Sequence, residues 1–250
     1  MNKEYVQQYA KLEKEHWWFV VRQKIILQFL KKYVTEKPIS ILNIGAAGGA
    51  STEWLSSLGN VVSVETEPFF IEHLKEKQLN VIESSVTSMP FTDDSFDLVC
   101  AFDVMEHVED DTAALKEMKR VCRAGGMICI TVPAMKILWG QHDVVNGHYR
   151  RYKKNDLVYL GDFFPILKKM EISYFNSLLF LPILAARKIS NLFSNDKNDI
   201  QSDFARYKTT GFVGHLCKII FSRELSLLRF IHFPGGASLI AVWKKTAAGK

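Results

Sequence analysis

The sequence has 250 residues, of which 48% are hydrophobic and 24% charged, and this balance predicts a globular chain rather than a disordered one. The length accommodates one domain with an insertion or a cap. The net charge of +5 is modest. A nucleic-acid partner is therefore not expected, although an anionic substrate or a membrane surface would be compatible with this charge.

The cysteines indicate a reducing compartment. They form no C-x-x-C pair, and most fall in predicted core elements. We therefore expect packed, reduced thiols in a cytoplasmic protein and predict no metal site. Residues 1–14 are polar and charged, which argues against a signal peptide. The longest apolar run, Leu178–Ala186, is too short to cross a bilayer.

A helix is predicted over Glu15–Val34, and its start is dense in aromatic residues, namely His16, Trp17, Trp18 and Phe19. Adjacent tryptophans point to different faces of a helix, so one of them is expected to face away from the core. Residues 1–36 are interpreted as an N-terminal helical lid over a bound ligand. Simple packing of this segment on the sheet remains the alternative.

The stretch Ile39–Thr52 predicts a strand, a tight turn of small residues and a helix. Backbone N–H groups at such a turn favour ligand oxygens. A second strand, Val61–Glu65, ends in an acid twenty positions after Gly45. A carboxylate at this place can accept both hydroxyls of a ribose. The glycines do not form G-x-G-x-x-G, so an adenosine ligand smaller than a dinucleotide is favoured over a dinucleotide. A tight turn without a ligand is the alternative.

Titratable residues follow a predicted buried strand, Phe96–Phe102, and also fill the long connection 133–152. Ligands of doubly wound sheets bind beyond the carboxyl ends of the strands, and a connection of this length in a compact domain is usually functional. The connection carries Trp139, His142, Asp143, His148, Tyr149, Arg150, Arg151 and Tyr152. It is predicted to have little regular structure.

Two apolar helices are predicted over Leu178–Phe193 and Phe212–Phe230, with the polar stretch Ser194–Thr210 between them. They lie between a sixth strand, Lys168–Phe175, and a last strand, Ser238–Trp243. Residues 177–232 are therefore interpreted as a helical insertion within a single domain, 1–250. Core packing, a cap on the site, a homodimer interface and a surface resting on a membrane are the uses that remain open.

Together these segments resemble class I S-adenosylmethionine-dependent methyltransferases. The run Ile41-Leu42-Asn43-Ile44-Gly45-x-x-Gly48 is similar to their first motif, and Glu65 to their ribose-binding acid. A narrower bacterial subgroup, similar to types 11 and 23, shares the segments His16–Arg22, His142–Tyr152 and Phe233–Leu239. The sequence departs from the family at Asn43, where an acid is usual, and at Ser85, where aspartate is usual.

The resemblance implies an α/β, Rossmann-like fold: a doubly wound, mostly parallel seven-stranded sheet with an antiparallel last strand and a helical insertion before it. It also implies S-adenosylmethionine as cofactor and S-adenosylhomocysteine as product. The residues expected to contact the cofactor are Gly45, Ala46, Ala47, Gly48, Glu65, Thr66, Ser85, Val86, Phe102, Asp103 and His107, together with Trp18 if the N-terminal segment is a lid.

The expected reaction is methyl transfer to a small-molecule acceptor or to a lipid- or glycan-linked one, at oxygen. A hydroxyl nucleophile needs a base, and the candidates are His148, His142 and His107. The acceptor is expected to contact Arg150, Arg151, Tyr152 and Trp139. The alternatives are a non-catalytic cofactor-binding module and a NAD-dependent nucleotide-sugar enzyme on the same sheet. The expected location is the cytoplasm, with peripheral membrane contact through the insertion.

Overall fold

The computed structural model describes residues 2–35, 38–193 and 211–247. The strands are β1 (Ile39–Ile44), β2 (Gly59–Glu65), β3 (Val81–Glu83), β4 (Phe96–Phe102), β5 (Cys122–Pro133), β6 (Leu167–Phe175) and β7 (Ser238–Lys245). The α-helices are α1 (Lys3–Glu15), α2 (Trp17–Leu30), α3 (Ala50–Leu55), α4 (Pro68–Glu76), α5 (Asp111–Val121), α6 (Gln141–Val145), α7 (Lys154–Asp162), α8 (Phe180–Phe193) and α9 (Phe212–Leu227). Short 3₁₀ turns occupy Met105–His107 and Lys136–Leu138.

The strands form one seven-stranded sheet in the order β3-β2-β1-β4-β5-β7-β6. All neighbours pair in parallel except β7, which is antiparallel to both β5 and β6. The chain winds outward in one direction from β1 and in the other from β4. The crevice beyond the carboxyl ends of these two strands is therefore the place where such a sheet binds ligands. The predicted α/β, Rossmann-like sheet with an antiparallel last strand is confirmed.

Both faces of the sheet are covered by helices, because successive side chains of each strand point to opposite faces. On β1, Ile41 belongs to one buried cluster and its neighbour Leu42 to the other. Helices α2, α3 and α9 supply the first cluster, for example with Phe29 and Phe221. Helices α5 and α7 supply the second, for example with Met118. The core therefore lies in two layers, one on each side of the sheet.

The N-terminal segment differs from the prediction, because it contains two helices instead of one. The predicted helix over Glu15–Val34 begins at Trp17 and ends at Leu30. His16 caps its start, since its Nδ1 atom accepts the Trp18 N–H at 3.2 Å. Helix α1 before it was not predicted, because its buried stripe is only Val6 and Ala10, too narrow for a clear helical period.

The connection 133–152 is also more regular than predicted, since it contains one of the 3₁₀ turns and helix α6. The insertion before β7 has both predicted helices. Helix α9 packs on α2, where the rings of Trp17 and Phe221 meet edge to face at 6.2 Å between centroids. Core packing is thus one use of the insertion. The predicted polar stretch 194–210 lies outside the described residues.

Cys100, Cys122 and Cys129 are buried and free, and Cys217 is free and partly buried, as expected for packed, reduced thiols. None of the helices in the described ranges has both the length and the apolar character needed to cross a membrane.

Candidate active site

The turn after β1 requires glycine for two reasons. Gly45 has a φ of +71°, a left-handed conformation that costs other residues free energy. A Cβ atom at Gly45 would also lie 2.5 Å from a methyl group of Val104, which follows β4. The backbone of the turn is therefore bare and lies at the crevice between β1 and β4, where a ligand can approach it closely.

The carboxylate of Glu65 closes this turn. Its Oε2 accepts the Ala47 N–H at 2.9 Å, and its Oε1 accepts the N–H groups of Thr66 and Glu67 at 2.8 and 3.1 Å. A carboxylate offers about four lone-pair sites, so some capacity remains for a ribose hydroxyl. The structure thus brings Glu65, Thr66 and the turn Gly45–Gly48 together at the edge of the sheet.

The two departures from the family pattern have different surroundings. Asn43 is buried, and its Nδ2 donates to the hydroxyls of Ser51 and Thr52 at 2.9 and 3.0 Å. The amide therefore orders the start of α3 by hydrogen bonding. Ser85 is exposed, and its hydroxyl lies 2.9 Å from that of Thr87, whereas the next residue, Val86, is buried. A neutral hydroxyl at position 85 binds an amino group less strongly than a carboxylate does.

Helix α1 covers the glycine turn. A Cβ atom at Gly48 would lie 2.6 Å from the Cα of Ala10, so the helix and the turn are in backbone contact. Glu13, one turn further along α1, lies beside the same glycine, and burial raises the pKa of its carboxyl to about 7. The segment predicted as a lid therefore lies over the glycine turn, where the cofactor is predicted to bind. Whether it opens and closes stays a prediction.

An ion pair joins the buried Arg22 of α2 to the partly exposed Asp103, which follows β4. Arg22 Nη2 is 2.7 Å from Asp103 Oδ2 and donates to the hydroxyl of Thr131 at 2.7 Å. The guanidinium also lies over the rings of Trp18 and Phe102, 5.1 and 5.8 Å from their centroids. Trp18, Phe102 and Asp103 are thus held together by Arg22. Sequence reasoning gave Arg22 no role in the site, although it ends the aromatic segment His16–Arg22.

A cavity of about 630 Å³ opens between the N-terminal helices, the helical insertion and the sheet edge. Most of its wall is apolar or aromatic, and one side is polar. The predicted site residues that line it are Trp18, Asp103, His107, His142, His148 and Arg151. The other predicted cofactor residues lie at the neighbouring carboxyl ends of β1 to β4. Within the described part of the chain, Trp139, Arg150 and Tyr152 are not among the lining residues.

His148 is held in one orientation by Asp143, which lies in α6. Its Nδ1 is 2.8 Å from Asp143 Oδ1, and Arg151 Nε donates to the same oxygen at 2.8 Å. Burial alone would raise the pKa of Asp143, but the hydrogen bonds from His148 and Arg151 outweigh it, and the pKa is about 2. The carboxylate is therefore ionised and accepts a hydrogen bond from Nδ1–H of His148. In the neutral imidazole this arrangement places the lone pair on Nε2.

Two of the predicted acceptor residues, Arg150 and Tyr152, anchor the connection 133–152, and their contact with the acceptor stays a prediction. The Tyr152 hydroxyl donates to Asp111 Oδ2 at 2.9 Å, and Arg150 Nη1 lies 2.9 Å from the same oxygen. Burial and the Asp111 carboxylate raise the pKa of Tyr152 well above its ordinary value. These contacts fix the end of the connection to the start of α5, next to the cavity.

Glu106, His107 and His148 come together on the polar side of the cavity. Each offers one ligand atom, and these atoms lie within 4.8 Å of one another. The rings of His107 and His148 meet edge to face at 4.7 Å between centroids. Burial raises the pKa of Glu106 well above its ordinary value, and burial lowers the pKa of His107. Sequence reasoning missed this grouping, since 41 positions separate His107 from His148 and only the fold joins them.

The sequence comparisons match only part of the chain. Residues 42–130 match the family model described as "Methyltransferase domain". A probable S-adenosylmethionine-dependent methyltransferase of Mycobacterium tuberculosis is 25% identical over 125 residues, which cover 49% of this chain and 44% of that protein. An uncharacterized methyltransferase of Schizosaccharomyces pombe is 32% identical over 117 residues, 40% of this chain and 42% of that protein. The chain thus spans less than half the length of these relatives.

The fold match covers nearly the whole chain. A crystal structure of a SAM-dependent methyltransferase from Archaeoglobus fulgidus superposes with a TM-score of 0.58 at 16% identity, over 95% of this chain and 99% of that one. At this identity the likeness shows the fold alone. Residues 42–130, which contain the glycine turn and Glu65, are thus similar to a methyltransferase domain, and the chain as a whole has the fold of the Archaeoglobus fulgidus structure.

Proposed function

We propose that the protein transfers the methyl group of S-adenosylmethionine to an oxygen atom of an apolar or lipid-linked small molecule bound in the cavity. The observation that carries this proposal is the position of the cavity. It meets the carboxyl edge of the sheet at Asp103, has largely apolar walls, and has His148, which is oriented by Asp143, on its polar side. Cofactor side and acceptor side thus adjoin each other.

The residues at the sheet edge fit the cofactor. The turn Gly45–Gly48 carries no long side chain, although α1 covers it at Gly48. Glu65 suits ribose hydroxyls, and Val86 offers an apolar contact for a base. When bound, S-adenosylmethionine supplies a methyl group on a sulfonium with a good leaving group. The protein then has chiefly to hold the acceptor in line and exclude water, which the covering helices α1 and α2 support.

Oxygen is the favoured acceptor atom because the cavity holds groups that can take up a proton. A hydroxyl is a weak nucleophile until its proton is removed. Nε2 of His148 is oriented for this by the Asp143–His148 hydrogen bond of 2.8 Å. His107 and His142 line the same wall, and they are the second choices for the proton acceptor.

An apolar acceptor is favoured by the rim of the cavity. On α9, Val213 and Cys217 line the cavity, while Phe212 and Val213 are 84% and 61% exposed. The apolar wall therefore continues onto an exposed apolar surface, and a lipid-like molecule could enter the cavity along this surface. The predicted membrane contact and the predicted homodimer would both use this surface, and both stay predictions, as do the absence of a nucleic-acid partner and the cytoplasmic location.

The test is incubation of the purified protein with methyl-labelled S-adenosylmethionine and separate aqueous and organic extracts of the source cells. We expect label in a product of the organic extract, and fragmentation in the mass spectrometer should assign the new methyl group to oxygen. Label on nitrogen or carbon would contradict the proposed acceptor atom. Binding of S-adenosylhomocysteine without label in any extract would favour the non-catalytic module.

A further inference from the structure

Three residues that can bind a metal ion, Glu106, His107 and His148, meet on the polar wall of the cavity. Two are histidines and one is a carboxylate, and their ligand atoms lie within 4.8 Å of one another. Two imidazoles and one carboxylate are a common donor set for first-row transition cations, with the remaining coordination positions open to a substrate or water. We propose that Glu106, His107 and His148 bind a divalent transition cation such as Zn²⁺, Mn²⁺ or Fe²⁺.

The state of Glu106 is an independent reason for this assignment. The side chain is 1% exposed, and its Oε2 has no hydrogen-bond partner among the residues described by the structure. Each of the two neighbouring acids has an arginine partner: Asp103 pairs with Arg22, and Asp143 with Arg151. A buried carboxylate oxygen without a partner is costly, and a cation at the centre of the group would supply the missing partner.

The histidines are held as metal ligands usually are. The second ring nitrogen of a ligating histidine commonly donates to a carboxylate or a backbone carbonyl, which fixes the other nitrogen toward the metal. His148 donates from Nδ1 to Asp143 at 2.8 Å. His107 has a hydrogen bond with the backbone of Asn146. Each ring is therefore held by a hydrogen bond, His148 by Asp143 and His107 by the backbone of Asn146.

The cation would act directly on the acceptor, and in this respect the inference rests on the proposed function. A hydroxyl oxygen that coordinates the cation has a lowered pKa and gives its proton to a water molecule. The oxygen then forms the new C–O bond, while the C–S bond of the sulfonium breaks and its electron pair stays on sulfur. His148 is a ligand in this arrangement, and the cation replaces it in activating the hydroxyl.

The experiment measures cation binding without an acceptor. Metal-free protein is titrated with Co²⁺, and the visible absorption of the bound ion is followed. We expect one saturable site in the wild type and at least about tenfold weaker binding in Glu106→Gln and His148→Ala. His215→Ala removes an exposed histidine outside the cluster and should bind like the wild type. Asp143→Asn should weaken binding by about 10- to 100-fold, as expected for loss of a partner behind a ligand.

Calorimetry with S-adenosylhomocysteine on each variant separates this inference from the proposed function. A far-UV circular dichroism spectrum equal to that of the wild type shows that a variant is folded, and a variant that fails this check is replaced by His107→Ala. Cofactor and Co²⁺ both binding, with labelled product absent, would overturn the function and keep the site. Equal Co²⁺ affinity in the wild type and Glu106→Gln, or no Co²⁺ binding by the folded wild type, would overturn the cation site.

Discussion

The cofactor side and the acceptor side of the cavity are built in different ways. The cofactor side comes from the ends of neighbouring parallel strands, where Gly45 and Glu65 are twenty positions apart and joined through the Ala47 N–H. The acceptor side comes from α1, α2, the connection 133–152 and the insertion, which are distant in sequence. The order of the strands therefore determines the cofactor side, whereas the acceptor side depends on which helices and connections pack against the sheet.

The largest effect is expected on turnover, from substitution of His148 on the acceptor side of the cavity. His148→Ala should lower turnover by roughly 10²–10⁴-fold, because the hydroxyl loses either its base or a ligand of its activating cation. Turnover is measured with a verified acceptor at saturating cofactor. Asp143→Asn should lower turnover less, since it disturbs only the orientation of the ring. Wild-type turnover in both variants would move the acceptor chemistry away from this wall.

A smaller effect is expected on cofactor binding, from substitution of Glu65 on the cofactor side. Glu65→Ala should weaken S-adenosylmethionine binding by roughly 1.5–3 kcal/mol, the value of a hydrogen bond to a charged group, or about tenfold to a hundredfold in Kd. Equilibrium dialysis with labelled cofactor measures this. Glu83→Ala, an exposed acid on β3, is the matched control and should bind normally. An unchanged Kd in Glu65→Ala would remove the ribose role.

Removal of α1 tests how the two sides are joined, since this helix covers the glycine turn and lines the cavity. A chain without residues 1–15 keeps His16 as the cap of α2 and should still fold. We expect weaker S-adenosylhomocysteine binding, by less than in Glu65→Ala, and a smaller change in Trp18 fluorescence on binding. Tighter binding by the shortened chain would make α1 an obstruction to the cofactor rather than a lid.

A separate effect, on stability rather than on binding or turnover, concerns the pH dependence through Glu13. Its folded pKa is about 7 against an ordinary 4.5, chiefly because of burial. Arg22, Lys77, the Ala50 N–H and Glu65 also act on it. A raised acid pKa contributes stability that is complete below the unfolded value and is lost as the pH rises through 7.

Glu13→Gln should therefore lose less stability than the wild type between about pH 5 and pH 8. The two melting temperatures, measured at several pH values, should converge at the acidic end, and the variant should be the more stable protein at the alkaline end. Parallel curves for the two proteins would show that the Glu13 carboxyl titrates like an exposed acid.

The sheet could be predicted from sequence because its signals are local. The apolar run of β1, the bare turn and the acid at the end of β2 each lie within a few residues, and parallel topology brings their ends together. Helix α1 could not be predicted from the sequence, since its only buried residues are Val6 and Ala10, which are too few to show a helical period. The grouping of Glu106 with His148 and the role of Arg22 depend on tertiary packing, which no local pattern encodes.

The division of the site into two sides is tested most directly by titrating S-adenosylhomocysteine into the wild type, Glu65→Ala and His148→Ala in the calorimeter. The division predicts the same Kd for the wild type and His148→Ala, and a Kd about tenfold or more higher for Glu65→Ala. Equal weakening in both variants, or wild-type binding in Glu65→Ala, would contradict it.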